Sequence, residues 1–258
     1  MIWQTLKYLF GDAERMEAGF KEEWTALLVR NVPLYSRLTE ELRARLHERI
    51  GLFIGSIRFE GCNGLELDEE MVLTVAAQAC LLVLNREGVP YPDLKVVYLY
   101  PTTFSSVQIR QDSVGVVTEE VVRRLGESWE TGTVVLAWDS VEQGARNVHD
   151  AQNVTFHEFA HQLDHEDGQT DGAPSLPSRE TYRSWALVFT ANYAELLASL
   201  EAGKRTLLDP YGATMPAEFF AVATETFFEK PRQLHKRYPE LYAELKGFYG
   251  LDPKEWFE

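Results

Sequence analysis

The stretch Val154-Thr155-Phe156-His157-Glu158-Phe159-Ala160-His161-Gln162-Leu163-Asp164 constrains this chain more than any other. It carries His-Glu-x-x-His and holds no glycine or proline to interrupt a helix. Positions four apart on an α-helix lie one turn apart on the same face, so His157 and His161 can aim their imidazoles at one point. Neutral imidazole is a good zinc ligand, and two from one turn make half of a tetrahedral site. Glu158 falls about 100° further round the helix. It can flank such a metal without ligating it and take a proton from a metal-bound water. Phe156, Phe159, Ala160 and Leu163 are apolar, which predicts a helix buried in the middle of a domain. Three fixed positions also arise by chance in unrelated proteins. The weight therefore falls on context: a strand-like segment upstream, an apolar helix, and candidates for a third ligand downstream.

Composition leaves room for a core and excludes some partners. The chain has 258 residues, 45 % hydrophobic and 25 % charged, an ordinary globular balance. A net charge of −15 argues against a nucleic-acid footprint and against adhesion to anionic membranes. The two cysteines are Cys62 and Cys80, and the apolar run around Cys80 marks it as a buried free thiol. That usage suits a reducing compartment. Met1 to Phe10 lacks the basic start, long apolar core and cleavage site of a secretory signal. No run approaches the ~20 apolar residues needed to cross a bilayer. The expectation is a cytoplasmic protein.

Along the chain, residues 12–50 read as amphipathic helix interrupted near Asn31-Val32-Pro33, with Thr39 as an N-cap before Glu40 and Glu41. Residues 51–66 are glycine-punctuated and partly β-like. Asp68 caps a second helix over 69–86, apolar around much of its circumference, which stops before Gly88-Val89-Pro90. From Leu94 the period changes. Lys95 to Tyr100 reads as a strand, Val107 to Arg110 and Val114 to Val117 as shorter ones, and Thr133 to Trp138 as the strongest strand signal. An exposed edge at 133–138 would let a substrate backbone add to the sheet, and an ordinary core strand is the equal alternative. Residues 164–172 must be loop. Ser178 starts a long helix to about 202, and further helices are expected over about 216–229, ended by Pro231, and about 239–248.

Catalytic zinc usually has three protein ligands and one open position. Asp167 lies six residues after His161, but the sharp turn it needs is normally made by a glycine where this chain has Asp164. His165 would extend the same helical stripe, and one straight helix cannot readily wrap three ligands round one ion. Glu218 and Glu225 are better placed, seven apart on one face of a predicted helix that can cross the first. Spacing alone leaves both open. Asp164 either stands behind a ligand histidine, fixing its tautomer, or ends the helix in solvent. Phe219, Phe220, Phe227 and Phe228 read as core.

The segment Tyr211-Gly212-Ala213-Thr214-Met215-Pro216-Ala217-Glu218-Phe219-Phe220-Ala221-Val222, with the His157 motif before it, resembles the Mlc titration factor A family of zinc peptidases. Over these two segments alone it is more distantly similar to the catalytic domain of anthrax lethal factor. The resemblance implies that Glu218 is the third zinc ligand and that Tyr211 points at the metal-bound water or the developing oxyanion. It also implies weak aminopeptidase activity and binding of a glucose-responsive transcriptional repressor, Mlc.

The reading is an α+β, zincin-like metalloprotease forming one domain over 1–258. Its 1–90 part is mainly helical, and 91–258 holds a small twisted sheet, the zinc helix and a helical C-terminal part. One zinc ion per chain would be held by His157, His161 and Glu218, with Glu158 and Tyr211 catalytic. The substrate is a peptide or protein, and the competing function is sequestration of a Mlc-type repressor with peptidase activity secondary.

Overall fold

The computed structural model describes residues 20–257 except 112–116, 125 and 130–131, and over 104–129 it describes the backbone. The start of the helical stretch predicted from residue 12, and positions 114–116 of an expected strand, lie outside those residues.

Three helices open the described chain: α1 (Glu22–Asn31), α2 (Pro33–Arg37) and α3 (Glu40–Ser56). The break at Pro33 and the start at Glu40 fall where the sequence puts them. Thr39 accepts a hydrogen bond from the Leu42 N–H at 3.3 Å. α3 runs further than expected, through Gly51 and Gly55 to Ser56. Its buried stripe of Leu46, Ile50 and Phe53 continues past the glycines, and burial outweighs their poor helix propensity. Strand β1 (Arg58–Gly61) follows, then α4 (Glu69–Leu82), capped by Asp68 through the Met71 N–H at 2.9 Å. Every residue of α4 from Val72 to Leu82 is buried, as a helix apolar on all sides requires.

α4 is the crossover that lets β1 and β2 (Val96–Tyr100) run parallel. The chain then makes an antiparallel hairpin, β3 (Phe104–Gln111) with β4 (Val117–Arg124), before β5 (Gly126–Trp129) and β6 (Thr133–Ala137). The main sheet has the order β1-β2-β6-β5, with β2 and β6 parallel and β5 antiparallel to β6. Of the two readings open for 133–138, a free edge and an ordinary core strand, the second holds. β6 is hydrogen-bonded on both sides, and Trp138 already belongs to the next helix, α5 (Trp138–Arg146). Four apolar residues in β6 are fully or nearly fully buried, which is what a central strand needs. Among the described residues β5 ends the sheet on that side.

The motif helix α6 (Val154–Asp164) packs against β5, β6, α4, α5 and a later helix, α8 (Pro216–Glu229). Between them runs α7 (Arg179–Glu201), capped by Ser178. Pro231 ends α8 and begins α9 (Pro231–Arg237), where its missing N–H costs nothing. α10 (Pro239–Tyr249) closes the helical part, and Trp256 packs back on Phe228 with ring centroids 6.0 Å apart. Phe219, Phe220, Phe227 and Phe228 all lie in one core with α4 and α6. Both cysteines are free thiols. No helix among the described residues is long and apolar enough to cross a membrane.

Candidate metal centre

α6 starts where Asn153 caps it, its Oδ1 accepting the Phe156 N–H at 3.0 Å. One turn on, His157 and His161 project from the same side, as their spacing requires, with ring centroids 4.9 Å apart. α8 crosses this helix and brings Glu218, in its first turn, over the two rings. His157 Nε2 lies 2.8 Å from Glu218 Oε2, His161 Nε2 lies 3.3 Å from the same oxygen, and the two Nε2 atoms are 3.3 Å apart. Ligands each about 2.0–2.2 Å from a tetrahedral zinc ion would stand about 3.3 Å from one another. Two sides of the triangle match that spacing, and the third, His157 Nε2 to Glu218 Oε2, is about 0.5 Å shorter. The donor set of two imidazoles and a carboxylate thus suits a divalent cation, with a shift of about half an ångström between His157 and Glu218.

Of the other candidates, Asp167 is exposed and His165 turns its Nδ1 to the Thr170 hydroxyl at 3.2 Å. Glu225 lies on the far side of His157, its Oε1 2.8 Å from Nδ1. Its other oxygen accepts the Asn153 N–H at 2.5 Å. The seven-residue spacing did put Glu218 and Glu225 on one face, but on opposite sides of one imidazole. Glu158 is buried beside the centre, and its charge acts on His157. Tyr211 sits on a short 3-10 turn (Pro210–Ala213), its hydroxyl 3.4 Å from Glu218 Oε1 and its ring centroid 5.8 Å from that of His157.

The electrostatics follow from the contacts. Burial alone would lower the His157 pKa, but hydrogen bonds to Glu218 and Glu225 and the charges of Glu225 and Glu158 carry it well above the usual imidazole value. Burial would raise Glu218, but both histidines outweigh it and hold this carboxyl below the usual range. Burial raises Glu225 above the ordinary carboxylate value, against the lowering by its hydrogen bond to His157.

Asp164 does neither of the things expected of it. It is fully buried, and both its oxygens accept the Gly172 N–H, at 3.0 and 2.9 Å. His161 Nδ1 is buried with no hydrogen-bond partner among the described residues. Burial pushes Asp164 up to about 6. Gly172 has φ +83°, and a Cβ there would stand 2.5 Å from the Pro216 carbonyl oxygen. The loop after the motif therefore reaches the very start of the helix that carries Glu218, and only glycine allows the approach. Arg86 adds a bidentate pair to Glu166, at 2.8 and 2.5 Å, so this loop is fastened at both ends.

Sequence reasoning passed over Asn153 and Gly172. An asparagine directly before a helix is an N-cap signal, so the first was findable. Nothing local marks the second.

The sequence model of the glucose-regulated metallo-peptidase M90 family matches residues 11–250. An uncharacterized protein of Synechocystis sp. is 43 % identical over 231 residues, covering 89 % of this chain and 84 % of its own. Mlc titration factor A of Escherichia fergusonii is 32 % identical over 228 residues, covering 86 % and 84 %. The protein of that name from Enterobacter sp. (strain 638) is 31 % identical over 230 residues, covering 87 % and 84 %. With that match spanning nearly its whole length, and the His-Glu-x-x-His helix at its centre, the chain belongs to the glucose-regulated metallo-peptidase M90 family.

Proposed function

We propose that this chain is a zinc-dependent peptidase, a single zincin-like domain with a gluzincin-type His2Glu site that holds one ion. The observation that carries the reading is the meeting of His157 Nε2, His161 Nε2 and Glu218 Oε2 at 2.8–3.3 Å from one another. Membership of a metallo-peptidase family supports it. When bound, zinc supplies a Lewis acid that polarises a peptide carbonyl and brings the pKa of water towards neutrality. Glu158, one residue past His157 and buried at the centre, takes the proton of the attacking water and returns it to the leaving amine. The Tyr211 hydroxyl, on the exposed side, donates to the developing oxyanion. The outer side of β5 is the place for an extended substrate to join the sheet. A preference for free amino termini, as in an aminopeptidase, rests on the resemblance to the titration-factor family.

The names of two relatives favour a second reading, in which the chain sequesters a Mlc-type transcriptional repressor and cleaves peptides only secondarily. Metal content and hydrolysis of aminoacyl and internally quenched peptides, compared between wild type and Glu158→Gln, separate the two. About one zinc in each protein, with cleavage by wild type alone, is the expected result. Zinc in both and cleavage by neither would move the assignment to the repressor-binding reading, to be followed by a pull-down.

A further inference from the structure

Behind His157 lies a buried chain of hydrogen bonds whose polarity is determined at every link from Gln78 to Glu225. Gln78 gives its Nε2 to the Thr74 carbonyl, 3.1 Å away, which can only accept, so its Oε1 faces Asn153. Asn153 Nδ2 donates to that oxygen at 2.9 Å and to Glu229 Oε1 at 3.0 Å. Its Oδ1 is taken by the Phe156 N–H, and its carbonyl accepts the His157 N–H at 2.9 Å. The side-chain amide therefore has one possible orientation. On the opposite helix, α5, Gly144 lets the backbone close on Asn153, since a Cβ there would stand 3.0 Å from its Cα. The Asn153 N–H is thus held in place, and it points at Glu225 Oε2.

A backbone N–H can only donate. Glu225 must meet it with an acceptor oxygen, which leaves the second oxygen to face His157 Nδ1. We infer that Asn153 and Glu225 are positioning residues that keep the His157 proton on Nδ1, so that the Nε2 lone pair faces the metal centre. The inference rests on the zinc-centre reading above. It gives Glu225→Gln an unusual expectation. A carboxamide has one acceptor end, and the Asn153 N–H claims it. The NH2 end then faces Nδ1, which must accept, and the His157 proton is driven to Nε2, the atom the ion needs.

The test measures zinc affinity by competition with a chromophoric chelator for wild type, Glu225→Gln, Asn153→Ser and the double variant, with the melting temperature of each metal-free protein alongside. Asn153→Ser keeps a capping oxygen but loses the donor to Gln78 and Glu229. Glu225→Gln is expected to weaken zinc binding about 10–100-fold, the range for partners that orient metal-bound histidines. Asn153→Ser should weaken it several-fold, and the double variant should bind no worse than Glu225→Gln, because both act through one hydrogen bond. Nitrogen-15 spectra of histidine-labelled, zinc-loaded wild type should show the His157 proton on Nδ1, a readout that does not depend on how any variant folds. Glu225→Gln binding zinc as tightly as wild type, additive losses, or a proton on Nε2 would overturn the proposal while leaving the centre intact. Wild type that takes up no zinc would instead refute the centre itself.

Discussion

The two sides of the His157 ring are built differently. On the Nδ1 side stand Glu225, Asn153, Gln78 and Glu229, all buried and joined in one network. On the Nε2 side stand His161 and Glu218, partly open, and Tyr211, which is 51 % exposed and meets Glu218 only at 3.4 Å. A side chain that must not move is held by groups that folding itself buries. A side chain that must meet a substrate is left at the surface, with bonds long enough to exchange. Variants on the buried side should cost stability and metal affinity, and a variant of Tyr211 on the open side turnover alone.

The largest effect is expected from Asn153→Ala. It removes the cap of α6 and leaves buried partners on α4 and α8 unpaired. The loss should be about 2–5 kcal/mol in chemical denaturation of the metal-free protein. A change under about 0.5 kcal/mol would mean that the network is incidental to the fold.

Gly172→Ala comes next and tests how firmly the open side leans on the buried one. The new Cβ must displace Pro216, two residues before Glu218, and take a left-handed backbone as well. About 2–4 kcal/mol of stability should go, together with zinc affinity. Gly168→Ala is the control. It has φ +87° but nothing within 4 Å of the new Cβ, so it should cost about 1–2 kcal/mol and leave zinc binding alone. Equal effects from the two would deny the loop any part in placing Glu218.

The buried acid Glu229 gives a pH signature. Burial carries it from 4.5 to about 9, so the folded state holds a proton that the unfolded chain releases. Its contribution is fully present below pH 4.5 and is lost as pH rises to about 9, at up to about 1.4 kcal/mol per pH unit. Glu229→Gln should flatten that decline, so that the variant gains on wild type from pH 5 to pH 9 in denaturant titrations run with a chelator. Asp164, raised to about 6, contributes a shorter decline between 3.8 and about 6, which Asp164→Asn would remove. Parallel curves for wild type and Glu229→Gln would show that Glu229 is ionised in the fold.

The sequence made the open side easier to see than the buried one. His157, His161 and Glu158 declare themselves by a spacing that a helix turns into geometry, and the cap residues Thr39, Asp68 and Ser178 by their place before apolar runs. Glu218 and Glu225 could not be told apart by spacing. Which of two carboxylates on one helix face falls on which side of an imidazole depends on how α8 crosses α6, a matter of packing between segments far apart in sequence. The position of β6 inside the sheet was hidden for the same reason. A strand's own residues show that it is buried, but only its neighbours show whether an edge is free. Gly172 was illegible because its reason for being glycine is the Pro216 carbonyl, in a different element.

Tyr211→Phe should have the smallest effect on the fold and so marks the limit of the comparison. The hydroxyl is at the surface and its bond to Glu218 is long, so the melting temperature and zinc affinity should stay close to wild type. The ring, which lies against His157, is retained in phenylalanine. If the hydroxyl acts only on the oxyanion, its loss should appear in kcat, by up to about 10²–10³-fold, with little change in KM. A loss of zinc affinity instead would mean that Tyr211 works by holding Glu218 in place, and that the open side too is a scaffold. Unchanged kcat, KM and zinc affinity would leave the tyrosine as packing on a turn.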